Sequence, residues 1–94
     1  MATSLKNLSD YNADDIIDIS NKKFAVIVAE WNDNVTTPLA QGVIDTLLKH
    51  GAKEENIVYT TVPGTFELSL GAQRFALREE IDAVVCIGCV IQGE

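Results

Sequence analysis

Three short segments hold the residues with the most chemistry to offer: Glu30-Trp31-Asn32-Asp33, Val62-Pro63-Gly64-Thr65-Phe66-Glu67 and Cys89-Val90-Ile91-Gln92-Gly93-Glu94. Trp31 is the only tryptophan, and it has two readings: a ring packed over a sheet edge, or a flat surface on which a heteroaromatic ring stacks. Glu67 falls in the first turn of an expected helix, where its charge complements the dipole. A carboxylate there also accepts hydrogen bonds from a polyhydroxylated ligand. Gly64 and Thr65 bring backbone N–H groups to the same helix start, a place suited to an anion or a carbonyl oxygen. By spacing alone each signal is weak, and their convergence is what gives them weight.

Other reactive residues point to fewer possibilities. Cys86 and Cys89 form a Cys-x-x-Cys pattern, but within or at the end of an expected strand rather than at the helix start that a redox pair uses. No further ligand cluster accompanies them to hold zinc. Residues three apart on a strand face opposite sides and stand roughly 10 Å apart, beyond the roughly 7 Å that a disulfide spans. They read as buried small hydrophobes. His50, the only histidine, falls in the last turn of a helix at the wrong end of the sheet, and no catalytic role is assigned to it. Without a second histidine, neither a serine triad nor a histidine-based metal site can be built from these residues. There is also no Gly-x-Gly-x-x-Gly and no P-loop.

The three segments become neighbours if the chain folds as an open parallel α/β sheet, because ligands bind such sheets beyond the carboxyl ends of the strands. The wholly apolar run Phe24 to Ala29 suits a strand buried on both faces. Val35, Leu39, Val43, Ile44, Leu47 and Leu48 then recur at helical spacing. Thr37-Pro38, or alternatively Asn34, starts that helix, and Gly51 stops it. Ile57 to Val62 is a second strand. After Pro63-Gly64, Thr65 is placed to cap a helix running to about Glu80, with Leu68, Ala72, Phe75 and Ala76 inward. Ile81 to Ile91, which contains the apolar run Ala83 to Ile87, is a third buried strand. Strand, helix, strand, helix, strand implies right-handed crossovers. Residues 1–22 read as a loose N-terminal arm with one short strand around Ile16 to Ile19, and residues 23–94 as the N-terminal part of a single domain. A sheet finishing on so apolar a strand needs a further helix over it, so the sequence is expected to be truncated after its third main strand.

Composition sets the outer limits. A chain of 94 residues is one domain at most, and at this size a lone monomer is marginally stable. Its 47% apolar and 22% charged content is ordinary for a soluble globular protein. The net charge of -7 repels nucleic acid and anionic membrane, so neither is expected as a partner. No stretch supplies the roughly 20 apolar residues of a spanning helix. The first fifteen residues lack a basic start followed by an apolar core, which leaves the cytoplasm as the expected compartment.

From about Phe24 onward the sequence resembles the lumazine synthases (6,7-dimethyl-8-ribityllumazine synthase, the riboflavin synthase beta chain family). The resemblance runs through Phe24 to Asn32, Leu47-Leu48-Lys49-His50-Gly51, Val62-Pro63-Gly64-Thr65-Phe66-Glu67-Leu68 and Asp82 to Glu94. The Val-Pro-Gly-x-Phe-Glu and Gly-x-Val-Ile-x-Gly-Glu stretches, correctly spaced, are together quite specific. The resemblance implies a flavodoxin-like three-layer sandwich. It also implies a transferase of riboflavin biosynthesis that condenses 5-amino-6-(D-ribitylamino)uracil with 3,4-dihydroxy-2-butanone 4-phosphate. No metal or organic cofactor is implied, and the partners are those two small molecules and further copies of the chain, as a pentamer or an icosahedral 60-mer.

Residue by residue, the resemblance implies that Trp31 stacks on the pyrimidine, with Asn32 beside it in the same wall. Gly64 belongs to the matched Val-Pro-Gly stretch, and Thr65, Phe66 and Glu67 would hold the ribityl chain. Cys89, Val90 and Ile91 would present backbone groups to the pyrimidine edge, and Gly93 and Glu94 would approach the phosphate-bearing substrate. Catalysis in the family is largely the positioning of two substrates, with one general acid/base. The family's proton-transferring histidine falls a few residues beyond Glu94, as do the arginine, lysine and aromatic residue that complete a pocket shared between subunits. Residues 1–94 alone are therefore expected to be inactive. The alternative is a non-catalytic assembly or ligand-binding module of the same fold. A CheY-like phosphoacceptor is disfavoured because Asp33 is a single candidate where clustered aspartates are needed. A flavodoxin proper is disfavoured because Glu30 to Asp33 is no phosphate loop.

Overall fold

The computed structural model describes residues 10–93; residues 1–9 and Glu94 lie outside the described residues. Its main elements are β1 (Phe24–Ala29), α1 (Asp33–Lys49), β2 (Ile57–Val62), α2 (Leu68–Ala76) and β3 (Ala83–Ile87). Short 3-10 turns occupy Ala13–Asp15, Glu54–Asn56 and Thr65–Glu67. The strands form one parallel sheet in the order β2-β1-β3. Phe24 lies opposite Ile57 on one side and Ala83 on the other. This is the first part of the flavodoxin-like order, in which the chain reverses direction across the sheet beside β1.

The hydrophobic pattern explains why β1 is central. All six of its residues are buried, and a strand with a neighbour on each side and a helix on each face has no polar position to offer water. Side chains alternate across the sheet. Val26 and Val28 face α1, where they cluster with Ala40 and Ile87 and with the partly buried Val43, Leu47, Ile57 and Val85. Ile27 points the other way, towards Gly71 of α2. The helices thus sit on opposite faces, while their connections step across the sheet in opposite directions. Both crossovers have one hand, as the rule for parallel connections requires.

The limits of β1 and β2 match the sequence expectations, whereas β3 covers only Ala83–Ile87 of the expected Ile81 to Ile91, and several other features differ. α1 starts at Asp33 with Asn32 as its cap, ahead of both Asn34 and Thr37-Pro38. Pro38 is therefore inside the helix; the carbonyl it cannot pair with belongs to Asn34, an exposed residue, so the missing bond falls on the solvent side of the helix. The buried face of α1 carries Thr36 and Ala40, whereas Val35, Leu39 and Leu48 are exposed. A helix can approach a sheet closely where its contact residues are small. The Thr36 hydroxyl donates to the Ala29 carbonyl at 2.8 Å, which is how a polar side chain is accommodated there.

α2 is shorter than expected, ending at Ala76 rather than near Glu80, and Ala76 is exposed while Leu68, Ala72 and Phe75 face inward. At 1.5 Å per residue nine residues span about 14 Å, close to the length of the strands beneath. The chain must then turn back. Asp82 N–H donates to the Lys23 carbonyl at 2.8 Å, and Lys23 N–H donates to the Asp82 carboxylate at 2.8 Å, feeding β3 in beside β1. β3 is not a buried strand: it lies at the sheet edge, with Ala83 and Cys86 exposed. No strand forms over Ile16 to Ile19. Ile16 is extended, but extended backbone without a ladder partner is not a strand. The expected stop at Gly51 is present, with a φ of 103° that a glycine adopts at little cost.

Candidate active site

Where the strands end, the chain continues their pairing for two more residues. Glu30 N–H donates to the Val62 carbonyl at 2.8 Å, and Trp31 N–H to the Pro63 carbonyl at 3.0 Å. Thr61 donates its hydroxyl to Glu30 Oε2 at 2.7 Å. These bonds lay Trp31 beside the Pro63-Gly64 turn with its indole about half exposed.

Asn32 then turns the chain into α1. Its φ of 64° is left-handed, a conformation that asparagine tolerates better than most residues but that still costs on the order of 1 kcal/mol. Its carbonyl accepts from Val35 and Thr36 N–H at 2.9 and 3.2 Å, while its side chain leaves the helix uncapped. The amide instead reaches across the sheet and donates to Cys89 Sγ at 3.3 Å. The tip of β1 is thereby tied to the tip of β3.

The β2 tip is joined to the same point. Thr65 Oγ1 donates to the Cys89 carbonyl at 3.1 Å and accepts from Cys89 N–H at 3.2 Å. Gly88 makes this approach possible, since a Cβ there would stand 2.7 Å from Leu68 Cδ1 and 2.8 Å from Thr65 Oγ1. Gly88 opens the Gly-x-Val-Ile-x-Gly-Glu stretch, but the sequence reading gives it no role of its own. Its available signal was a glycine closing an apolar strand, which marks a close approach of backbone.

Not every expectation about these residues survives. Thr65 is not the helix cap: it opens a 3-10 turn that Gly64 caps, and the N-cap of α2 is Glu67. Gly64 N–H is not free for an anion, because Glu67 Oε1 accepts it at 2.7 Å. Cys86 and Cys89 are both free thiols, but Cys86 is exposed and Cys89 half-buried, so neither is the buried hydrophobe expected. The cause is the edge position of β3, which among the described residues has a strand on only one side.

The structure brings together Trp31, Asn32, Thr65 and Cys89, with Gly64 and Glu67 on the adjoining turn. Phe66, 92% exposed, and Val90, 82% exposed, project from it. Among the described residues no hydrogen bond engages Val90 or Ile91, so their main-chain groups are open to a ligand. Gly93 lies in the irregular tail, and Glu94 is outside the described residues. Two grooves lie elsewhere: one of about 530 Å³ between α1 and Val85, and one of about 350 Å³ beside Arg74, Phe75 and Arg78. His50 is at the far end of α1, its Nε2 2.9 Å from the Tyr11 hydroxyl. Among the described residues no helix is long and apolar enough to cross a membrane, and no cluster of three or more His, Cys, Asp or Glu could hold a metal.

Comparison with known proteins adds what geometry cannot. Residues 21–94 match the family model described as 6,7-dimethyl-8-ribityllumazine synthase. Proteins bearing that name are similar to the whole chain in Cytophaga hutchinsonii, at 53% identity over 94 residues, and in Phocaeicola vulgatus, at 48%. A third, from Bacteroides fragilis, is 54% identical over 72 residues, 77% of this chain. The chain spans 58%, 56% and 50% of the length of these relatives respectively. The matched residues include all three strand-end segments, and the chain belongs to the 6,7-dimethyl-8-ribityllumazine synthase family.

Proposed function

We propose that the protein to which these residues belong is a lumazine synthase, a transferase that condenses 5-amino-6-(D-ribitylamino)uracil with 3,4-dihydroxy-2-butanone 4-phosphate. The product is 6,7-dimethyl-8-ribityllumazine, and phosphate and water leave. The observation that carries this reading is the joining of three strand tips at Cys89, through Asn32 and Thr65, in a chain of this family. It gathers a flat indole, an exposed carboxylate and a run of unpaired backbone at the switch point of the sheet.

In this reading Trp31 stacks on the pyrimidine and Asn32 lies beside it. Phe66 and Glu67 hold the ribityl chain from the Gly64-Thr65 turn, Glu67 through the carboxylate oxygen that Gly64 does not use. Val90 and Ile91 offer main-chain groups to the pyrimidine edge; the N–H of Cys89 is already given to Thr65, which leaves only the second lone pair of its carbonyl for a ligand. Gly93 and Glu94 approach the phosphate-bearing substrate. Such a site works by holding two reactants in register, an effect large enough to account for much of a bimolecular condensation. The general acid/base is assigned to a histidine beyond Glu94, and no residue of 1–94 is given that role. The site is completed by a neighbouring subunit in a pentamer or 60-mer, and the enzyme acts in the cytoplasm without a metal or organic cofactor.

The test is direct. Full-length protein mixed with both substrates should release phosphate in step with formation of the lumazine chromophore, and Trp31 fluorescence should change on adding the ribitylated pyrimidine alone. The absence of both product and a fluorescence response would retire the proposal. A response without turnover would favour the ligand-binding module.

A further inference from the structure

A hydroxyl has one proton to give and two lone pairs to receive. The Thr65 hydroxyl gives its proton to the Cys89 carbonyl and receives the Cys89 N–H, which leaves it one lone pair. Both main-chain groups of one residue are thus held by a single side chain. Asn32 holds the Cys89 thiol from the other side, and Gly88 supplies the room. Immediately beyond, Val90 and Ile91 have no hydrogen-bonding partner among the described residues. The last fixed point before the open backbone is therefore Cys89, and Thr65 is what fixes it.

We infer that Thr65 is a positioning residue: its hydroxyl acts through Cys89 to aim the main chain of Val90 and Ile91 at the pyrimidine edge, and does not grip the ribityl chain. The identity of the ligand rests on the proposed function, while the contacts themselves do not. An edge held in its bound orientation loses less entropy when the ligand arrives. Thr65 therefore belongs to the pyrimidine half of the site, although its neighbours Phe66 and Glu67 serve the ribityl half.

The two roles separate by ligand truncation. Binding to the full-length protein is measured for 5-nitro-6-(ribitylamino)uracil and for its 6-methylamino counterpart; the nitro group replaces the reacting amine and stops turnover. Thr65→Val, which keeps the shape and removes the hydroxyl, should weaken both ligands by the same factor, about tenfold, on the scale of one buried hydrogen bond. Thr65→Ser should rescue both. A loss confined to the ribitylated ligand, or no loss, overturns the inference and leaves the proposed function standing. A wild type that binds neither uracil retires the proposed function itself, and the inference with it. If the valine variant does not fold, amide hydrogen exchange at Cys89 decides between wild type and Thr65→Ser. Slow exchange that tracks affinity supports the lock, and affinity that does not follow Cys89 protection overturns it.

Discussion

One oxygen of the Glu67 carboxylate already accepts the Gly64 N–H, and that shared duty decides what substitutions there will do. Glu67→Ala removes a capping contact, costing about 1 kcal/mol of stability, and it also removes the acceptor proposed for the ribityl hydroxyls. Glu67→Gln keeps a carbonyl oxygen for Gly64 while losing the charge. Thermal unfolding and ligand titration on the pair should separate the effects: both variants bind the ribitylated uracil more weakly, but only alanine lowers the melting temperature. Equal affinity for Glu67→Ala and wild type would remove Glu67 from the binding site. Gly88 is a purely steric case. A methyl group there meets Leu68 Cδ1 and the Thr65 hydroxyl below 3.0 Å; the leucine tip can move, but the threonine is held at both of its bonds to Cys89. Gly88→Ala should cost about 1–3 kcal/mol in chemical denaturation, as overpacking does, and should weaken pyrimidine binding as well. An undisturbed midpoint would mean that the β3 tip gives way instead.

At the scale of elements, the site depends on how α1 is seated on β1. Thr36 is fully buried, and its hydroxyl donates to the last carbonyl of β1, so the first turn of the helix is fixed four residues after Asn32. Thr36→Val keeps the volume and strands the Ala29 carbonyl, at a cost of about 1–3 kcal/mol. Denaturant unfolding should show that loss, with a shift in Trp31 emission in the native baseline; a valine variant as stable as wild type would mean that water replaces the hydroxyl. Thr36 also shows where the sequence was legible and where it was not. Runs such as Phe24 to Ala29 announce a central strand because burial on both faces leaves no polar position, and Gly51 announces a stop because few other residues take its φ. The three segments at the strand ends were identifiable for the same topological reason. The phase of α1 was hidden, because its contact face is made by a threonine and an alanine, while larger apolar residues such as Leu39 sit one step around the helix. The length of α2 was hidden too, since it follows from the height of the sheet and the Lys23–Asp82 turn, not from its own residues. The glycine closing β3 hints at a close approach, but what Gly88 meets, and the pair of hydrogen bonds between Thr65 and Cys89, depend on residues 20 or more positions apart, which no local pattern displays.

Over the whole molecule, two opposed surface terms set the behaviour of this stretch of chain when it is prepared by itself. The accessible surface is 6978 Å², against about 5,300 Å² for a compact monomer of 10.2 kDa by the usual scaling. The radius of gyration is 14.7 Å, where about 12 Å is expected for this length. Part of the excess is apolar: Leu39 stands beside the groove that runs along α1 to Val85, and β2 and β3 are both edge strands among the described residues. Unpaired edges and apolar grooves favour association. The net charge of -7 opposes it through mutual repulsion, and that repulsion is the term that salt removes, since the screening length falls from about 30 Å at 0.01 M to about 3 Å at 1 M. Residues 1–94 alone should therefore sediment near 10.2 kDa when dilute in low salt and form larger, concentration-dependent species as salt is raised. Sedimentation velocity at two ionic strengths checks the sign. Association that weakens with salt would mean that charged contacts, not the exposed sheet edges and the α1 groove, hold the copies together.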